Sequence, residues 1–340
     1  MAKIITFGEV MLRLAPHGYY RLIQTDDLEA TYGGAEANVA VSLANYGEDV
    51  AFVTKLPENL IGQAAVNSLR RYGVDTGKIV RGGERVGIYY MEKGASQRGS
   101  LVIYDRKYSA MQQAQSGDFD WKKIFRGAKW FHFTGITPAL SPEVAKICLE
   151  ACKAAKANKM TVSCDLNYRG KLWTKDAAKA TMTKLLKYVD VVIANEDDCA
   201  DVLGIKAANS DTTKGALDEK GYESVAKQVQ KAFKLKMVAI TLRTSISASD
   251  NKWAAMVYDG KQCYHSKEYL IHITDRVGGG DSFGAGLIYG LVHKFDAQKT
   301  LEFAVAASCL KQTIEGDYNQ VSLDEVLKLA GGNASGRISR

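Results

Sequence analysis

The chain has 340 residues, 46% of them hydrophobic and 24% charged, and its formal net charge is +7. This length and composition allow a large buried core and favour one large α/β domain. Lysine and arginine are spread along the chain, so the positive charge does not favour nucleic acid as a partner but suits a small anionic substrate. The sequence has no run of about 18 apolar residues, which predicts no membrane partner and a soluble, cytoplasmic protein.

The cysteines are scattered, without a C-x-x-C pair or a Cys/His cluster at metal-binding spacing. This pattern predicts small core residues in a reducing compartment rather than a disulfide framework or a zinc site. They stand at Cys148, Cys152, Cys164, Cys199, Cys263 and Cys309.

Strand-like apolar runs alternate with helical segments along most of the chain. The first are the strand KIITFGEV, the helix EANVAVSLANYG, the strand DVAFVTKL and the helix LIGQAAVNSLRRYG, and each helix ends at a glycine, Gly47 or Gly73. Later come KWFHFTGI, SPEVAKICLEACKAAKA, TVSCDLN, DAAKATMTKLLKY, VDVVIAN, ESVAKQVQKAFK and MVAITLR. This alternation predicts a mostly parallel central sheet with helices on both faces.

Two segments interrupt this rhythm. Residues 11–31 and 85–110 are rich in Tyr, Arg and Gly and alternate like strands, as in VGIYYMEK and GSLVIYDRKYS. Because no helices intervene, we expect them to form a separate small sheet that acts as a lid over the site. Residues 207–221 are polar and predict a surface loop, and a flexible tail is expected over 331–340, after one domain spanning 1–330.

The stretch DRVGGGDSFGAG holds the strongest chemical pattern. Gly278, Gly279 and Gly280 let the backbone approach a ligand, and the helix that follows begins with amides that lack internal partners. These amides and the helix dipole favour a phosphate or the charge on a transferring phosphoryl group. Asp281 could then accept a proton from an attacking hydroxyl. The alternative is that Asp281 caps the helix and the glycines allow close packing.

Near the N-terminus, YGGAEANVAVSLA places two glycines before a second helix. Gly33 and Gly34 would let backbone amides approach a polyhydroxylated ligand, and Asn38 can donate to and accept from hydroxyl groups. Taken alone, this stretch is better explained as a turn before a helix. The pairing of two glycine-rich helix starts in one α/β chain is more specific than either.

These two stretches resemble the two signatures of the ribokinase-like (PfkB) carbohydrate kinase family, and the order of elements matches it from about residue 3 to residue 330. Within the family, the chain is most similar to kinases of the sugar acid 2-keto-3-deoxygluconate. The resemblance implies a three-layer α/β/α fold with a small β-sheet lid and the use of ATP and Mg²⁺. It also implies Asp281 as the general base and the amides of Gly278–Gly280 as an anion hole.

The resemblance extends to the ligand sites. Asp317, in TIEGDYN, would hydrogen-bond the sugar acid, and Asn195 and Asp198, in VVIANEDD, would act on Mg²⁺ and phosphate indirectly. Thr241 and Arg243, in TLRTSIS, would belong to the nucleotide site, together with Gly278 and Gly280. The sugar pocket would be formed by IYYME, VIYDRKYSA and CDLNYRGKLW, the last of which includes Lys171 and Trp173.

Two arginines and two tyrosines bear on the choice of substrate. A carboxylate accepts the planar fork of an arginine bidentately, so Arg106 and Arg169 favour a sugar acid over a neutral sugar. Adjacent strand residues point to opposite faces, so we expect Tyr89, with Tyr104 from the neighbouring strand, to line the pocket. The alternative is that Arg106 is a solvated strand charge and Arg169 a partner in an ordinary salt bridge.

Several positions depart from the family pattern. Arg276 stands where Thr or Ser is usual, in a loop that binds a monovalent cation in some members, which puts cation dependence in doubt. Asp198 replaces a Glu, TLRTSIS lacks the usual glycines, and the adenine pocket expected near Ala304–Ser308 lacks its common Asn.

Three functions therefore remain open at the level of sequence: a sugar-acid kinase, a kinase of a neutral sugar such as fructose or ribose, and a catalytically silent sugar-binding sensor. The apolar residues Ile88 and Val102 are expected on the outer face of the lid and suggest a homodimer formed through it. His132, Trp130 and Trp173 are predicted to be packing residues rather than catalytic or base-stacking groups.

Overall fold

The computed structural model describes residues 3–206 and 219–333. The strands in these ranges are Lys3–Phe7 (β1), Met11–Ala15 (β2), Glu29–Gly33 (β3), Val50–Val53 (β4), Lys55–Leu56 (β5), Val80–Arg81 (β6), Ile88–Glu92 (β7), Leu101–Asp105 (β8), Ala128–Thr134 (β9), Thr161–Asp165 (β10), Val191–Ala194 (β11), Met237–Ser245 (β12), Asp250–Tyr258 (β13), Cys263–His265 (β14) and Tyr269–His272 (β15).

The α-helices in the same ranges are Ala35–Asn45 (α1), Leu60–Arg70 (α2), Trp121–Ile124 (α3), Pro142–Ala157 (α4), Lys175–Leu185 (α5), Glu196–Asp198 (α6), Glu219–Phe233 (α7), Gly279–Val292 (α8), Ala297–Lys311 (α9) and Leu323–Ala330 (α10). Short 3₁₀ turns cover Ser116–Asp118 and Leu186–Tyr188, and a π-helical turn covers Cys199–Leu203.

A central sheet runs through the described part of the chain in the order β14-β13-β12-β11-β10-β9-β1-β4, and β15 also pairs with β13. The strands from β4 to β12 in this order are parallel, and β13, β14 and β15 add an antiparallel edge. The mostly parallel sheet expected from the alternating pattern is therefore confirmed. Its parallel strands all end at one edge, where α/β proteins usually bind their ligands.

Apolar side chains pack on both faces of this sheet. Successive residues of a strand point to opposite faces, so Ile4 belongs to one core and Ile5 to the other. Helices α1, α2, α8, α9 and α10 cover the first core, and α3, α4, α5 and α7 cover the second. This arrangement confirms the three-layer fold with helices on both faces.

A separate small sheet has the order β3-β2-β7-β8. Its strands come from the two segments expected to form the lid, although β3 extends two residues beyond the predicted limit at residue 31. The expectation for Val102 was wrong: Val102 pairs with Met91 and packs with it on the inner face, because the register fixes which face each residue occupies. Leu101 and Ile103, on the outer face, are 41% and 47% exposed. Pairing of two lids in a dimer stays a prediction.

The remaining sequence expectations concern loops and packing. A loop was predicted over residues 207–221. Residues 207–218 lie outside the described part of the chain, and residues 219–221 begin α7. Residues 334–340 of the predicted tail also lie outside the described part. Within the described ranges, no helix combines the length and the apolar character needed to span a membrane. The six cysteines are free thiols.

His132, Trp130 and Trp173 are packing residues, as the sequence predicted. His132 is 1% exposed, its Nδ1 lies 2.8 Å from the hydroxyl of Ser163, and burial lowers the pKa of its imidazole to about 3. Trp130 donates to the same hydroxyl at 2.8 Å, and Trp173 packs against the second core. These contacts confirm packing roles for all three residues named in advance.

Helices α8 and α9 pack closely enough to require a glycine. A Cβ added at Gly286 would lie 2.7 Å from the Cα of Ala304. We expect Gly286→Ala to lower the free energy of unfolding by about 1–2 kcal/mol, since overpacking outweighs the gain in helix propensity. Gly280→Ala is the matched control in the same helix, because nothing lies within 4 Å of its added Cβ. Denaturant titration should separate the two variants, and equal stabilities would contradict the close packing.

Candidate active site

A cavity of about 430 Å³ lies at the carboxyl ends of the parallel strands, between the small sheet and the start of α8. Among the site residues expected from the sequence, Gly279, Lys171, Trp173 and the segment 304–308 do not line it, and the others do. These residues are Gly33, Gly34, Asn38, Tyr89, Tyr104, Arg106, Arg169, Asn195, Asp198, Thr241, Arg243, Gly278, Gly280, Asp281 and Asp317. The structure therefore brings together residues from both ends of the chain and from the small sheet.

The turn into α8 aims backbone amides at the cavity. Gly278 precedes the helix with φ +82°, and a Cβ there would lie 2.2 Å from the main-chain oxygen of Asp317, so only glycine fits without strain. The amides of Gly280 and Asp281 stand in the first turn, where no earlier helical carbonyl can accept their hydrogen bonds. Together with the helix dipole, these amides form a site suited to an anion.

Asp281 is held in place from the other end of the chain. The side-chain amide of Asn38 donates to its carboxylate at 2.7 Å, and the amide oxygen of Asn38 accepts from the Gly34 backbone at 3.2 Å. Burial, with a smaller contribution from the charge of Asp317, raises the pKa of Asp281 to about 6 against the opposing effects of Asn38 and Arg169. A carboxyl group with this pKa can exist as a base at neutral pH.

A buried ion pair that the sequence did not reveal ties the small sheet to the core. Arg13, on β2, donates to Asp275 at 2.6 Å and to Asp317 at 2.8 Å, and its side chain is 4% exposed. Tyr89 donates its hydroxyl to the same oxygen of Asp317 at 2.6 Å. The only sequence signal for Arg13 was a charge in the middle of the otherwise apolar strand MLRLA.

Arg106 lines the cavity, but its charge is already matched. Its guanidinium pairs with Glu9, a residue that sequence reasoning missed, and Ser109 donates to the same carboxylate. Arg106 is 7% exposed and lies 5.4 Å from the centre of the Tyr104 ring. Arg106 is therefore not a solvated strand charge, as the alternative hypothesis had it. Its guanidinium is also not free to bind a ligand bidentately, because a buried guanidinium needs a carboxylate partner.

Arg169 differs from Arg106 in its surroundings. It follows β10, is exposed, and donates to the main-chain oxygen of Tyr168 at 3.1 Å. None of the described carboxylates forms an ion pair with it, so the alternative reading as a salt-bridge partner does not hold within these ranges. Its charge nevertheless lowers the pKa of Asp281. Arg169 is thus positioned to meet an anionic group near that carboxylate.

Two further arginines line the cavity near the start of α8. Arg243, on β12, forms no ion pair with any described residue, and its charge contributes to a lowered pKa of Arg276, after the larger effect of burial. Arg276 donates to the main-chain oxygen of Ala248 at 3.3 Å, and its Nε has no partner among the described residues. Two neighbouring guanidinium groups that lack carboxylate partners are suited to an anion of more than one charge.

The residues considered for a metal are mainly engaged in a helix cap. Asp198 donates its backbone amide to the Asn195 side chain at 2.7 Å, and its carboxylate accepts from the backbone of Tyr168 at 3.0 Å. In the described ranges, no three His, Cys, Asp or Glu side chains form a metal-binding group. Burial and the charges of Asp198 and Asp281 raise the pKa of Asp165 well above its usual value. These carboxylates line the same cavity, and a hydrated cation bound beside them would relieve their repulsion.

Three sequence expectations fall outside the cavity. Residues 304–308, where an adenine pocket was expected, are buried in α9 against α8 and do not line it. The hydroxyl of Ser308 instead donates to the main-chain oxygen of Gly279 at 2.7 Å. Lys171 is exposed and donates to the main-chain oxygen of Val102 at 3.2 Å, and Trp173 packs away from the site.

Comparison with known proteins gives consistent matches over the whole chain. A model described as the pfkB family of carbohydrate kinases matches residues 1–323. The chain is 52% identical to the 2-dehydro-3-deoxygluconokinase of Thermotoga maritima, whose crystal structure aligns with a TM-score of 0.94 over 97% of this chain and 98% of that one. It is 30% identical over 334 residues to the 2-dehydro-3-deoxygalactonokinase of Haloferax volcanii, covering 98% of both. It is 26% identical over 314 residues to the 5-dehydro-2-deoxygluconokinase of Clostridium perfringens, covering 90% and 86%.

The Arg13 ion pair generates a stability prediction. We expect Arg13→Met to lower the free energy of unfolding by about 3–5 kcal/mol, because it leaves Asp275 and Asp317 buried without their cation. Arg85→Met is the control: it breaks the more exposed pair with Asp105, whose side chains are 34% and 49% exposed, and should cost about 1 kcal/mol or less. Urea unfolding of the two variants measures the difference, and a small loss for Arg13→Met would contradict a dominant role for this pair.

Proposed function

The chain belongs to the PfkB family of carbohydrate kinases, and from this premise we propose that it transfers the γ-phosphoryl group of ATP to the terminal hydroxyl of 2-keto-3-deoxygluconate or a close analogue. The observation that carries the proposal is the position of Asp281 in the first turn of α8, beside amides suited to an anion. The three relatives described above are, by their names, all kinases of keto-deoxy sugar acids. This agreement supports a sugar acid as the substrate.

The chemistry assigned to Asp281 follows from its surroundings. Its carboxylate takes the proton of the sugar hydroxyl as that oxygen attacks the γ-phosphorus, while the bond from phosphorus to the bridging oxygen of ADP breaks. The amides of Gly278, Gly280 and Asp281 stabilise the charge on the transferring group, whereas the Gly279 amide already donates to the main-chain oxygen of Arg276 at 3.4 Å. Asn38 keeps the carboxylate oriented because it donates to one of its oxygens.

The sugar is proposed to lie under the small sheet. Tyr89, Tyr104 and Asp317 offer polar oxygens to sugar hydroxyls. Gly33 and Gly34 allow close packing around them, because an added Cβ would lie 2.0 Å from Oδ2 of Asp317 or from the main-chain oxygen of Glu9. Two arginines were expected to bind the carboxylate of the sugar acid. Arg169 is free to do so, whereas Arg106 would have to use the guanidinium nitrogen that does not pair with Glu9.

The opposite end of the cavity is proposed to hold the nucleotide. Thr241, Arg243 and Arg276 line it close to the glycine turn, and the two arginines can replace the contacts that glycines make in other sequences of this family. Asp165 and Asp198, with Asn195, would hold Mg²⁺ through water molecules. Bound there, the ion would neutralise charge on the phosphate oxygens.

The two alternatives make different demands on these residues. A kinase of a neutral sugar would need no unpaired arginine near the sugar, and the pairing of Arg106 with Glu9 is the observation in its favour. A silent sensor would need neither the proton acceptor nor the amides, so the arrangement around Asp281 argues against it.

A coupled ADP-release assay tests the proposal. Purified protein with ATP and Mg²⁺ should turn over 2-keto-3-deoxygluconate or its galactonate epimer, and much less fructose or ribose. Equal turnover of fructose would favour the neutral-sugar kinase. Binding of sugars without turnover of any of them would favour the sensor.

The role of Asp281 gives a direct test. We expect Asp281→Asn to lower kcat by about 10²–10⁴-fold, because the amide can still accept from Asn38 but cannot take a proton. Asp324→Asn is the matched control, since Asp324 is exposed in the first turn of α10. Steady-state kinetics should give kcat for both variants. A near-normal kcat for Asp281→Asn would show that another group is the base.

The pH profile provides an independent check on Asp281. The base must be ionised to act, so kcat/KM of the unmodified protein should fall as the pH drops below about 6, the pKa of this carboxyl group. A profile that stays flat to pH 5 would contradict the assignment.

The two arginines near the glycine turn should bind the phosphates of the nucleotide. We expect Arg243→Ala or Arg276→Ala to raise the KM for ATP by about tenfold to a hundredfold, the effect of losing a charge-assisted hydrogen bond, and to change the KM for the sugar little. Arg126→Ala, at an exposed position outside the cavity, is the control. An increase confined to the KM for the sugar would place these arginines in the sugar site instead.

A further inference from the structure

Lys311 is a buried charge that the proposed chemistry does not use. It is the last residue of α9, and 0% of its surface is exposed. Its ammonium donates to two main-chain oxygens, those of Asp275 at 3.3 Å and Ile314 at 3.1 Å. Among the described residues it forms no ion pair, because the Asp275 and Asp317 carboxylates pair with Arg13. Burying an ammonium group with only carbonyl partners is unfavourable, so stability alone does not explain it.

The two oxygens belong to the two loops that build the active site. Asp275 begins the turn that leads through Gly278 to Asp281, and Ile314 lies three residues before Asp317. A Cβ added at Gly278 would lie 3.2 Å from the Cε of Lys311, so the lysine side chain passes directly beside the glycine turn. The ammonium therefore bridges both loops at the point where they approach each other.

The charges around this point also call for a cation. Three carboxylates, those of Asp275, Asp281 and Asp317, surround the turn, and Arg13 supplies one positive charge. The charge of Lys311 interacts favourably with all three. Without it, the amides of the turn would face a more negative environment, which would oppose the approach of a phosphate.

We propose that Lys311 is a built-in cation that positions the glycine turn and the Asp317 loop for phosphoryl transfer, so that no alkali-metal ion is needed there. The inference rests on the proposed kinase function and deepens it. Lys311 acts through the two main-chain oxygens and contacts no reacting atom, which makes it a positioning residue.

Substitution separates this role from a purely structural one. Lys311→Met keeps the length of the side chain and removes the charge, so the variant should fold with a Tm close to that of the unmodified protein, since apolar replacement of a buried charge is often neutral. Its kcat should nevertheless fall by about a hundredfold, the usual effect of slightly misplaced catalytic groups, with little change in the KM of the sugar. A wild-type kcat would overturn the proposal.

Chemical rescue gives a second readout. In Lys311→Ala, methylammonium or K⁺ should occupy the space near the two oxygens and restore part of the lost rate, whereas tetramethylammonium at equal ionic strength should not. Lys299→Ala is the matched control, because Lys299 lies on the exposed side of the same helix, with its Nζ 4.0 Å from the centre of the Phe295 ring. Neither the control nor the unmodified protein should respond to these ions.

If the variants do not fold, the effect of K⁺ on the rate of the unmodified protein tests the proposal. A rate that is independent of K⁺ supports the proposal, and a rate that requires K⁺ overturns it. If no sugar is turned over, the proposed function fails, and affinity for a non-hydrolysable ATP analogue replaces kcat as the measurement. Weaker binding by Lys311→Ala that methylammonium restores supports the role of Lys311, and unchanged binding overturns it.

Discussion

One guanidinium and two carboxylates meet where the small sheet closes over the cavity. Arg13 comes from β2, Asp275 from the turn before α8, and Asp317 from the loop after α9. Each of these charges is buried, and each would be costly without the others. The small sheet, the glycine turn and the Asp317 loop therefore cannot shift independently. Because these three segments line the end of the cavity proposed to hold the sugar, the shape of that end depends on this ion pair.

The same constraint limits how the site can respond to a ligand. Tyr89 and Arg13 both donate to one oxygen of Asp317, which leaves the other oxygen able to accept from a sugar hydroxyl. Asp281 is fixed separately, by Asn38 from α1. Groups that are held by their own hydrogen bonds before the substrate arrives need little reorganisation during the reaction. The side chains proposed to act on the sugar are in this sense oriented before it binds.

Local sequence patterns predicted the layers of the fold, and with the family resemblance they named about half of the residues that line the cavity, but they did not predict how the charged residues pair. Periodicity and glycine-rich turns are local properties, whereas Arg13 and Asp317 are 304 residues apart. For the same reason, nothing near Arg106 showed that Glu9 would take its charge. Val102 was placed on the wrong face because a shift of one residue in strand register reverses every side chain.

Two exposed arginines lie farther out in the cavity than Asp198 and Asp281, which helps to explain how a carboxylate can act beside an anion site. Asp198 is buried and Asp281 partly buried, whereas Arg169 and Arg243 are exposed. Arg243 attracts phosphate groups and the deeper carboxylates repel them, so a nucleotide should approach the glycine turn from the side of Arg243. The neutral hydroxyl of a sugar meets no such repulsion and can reach Asp281. In the proposed function, this separation of charge would help to order the two reactants for the transfer.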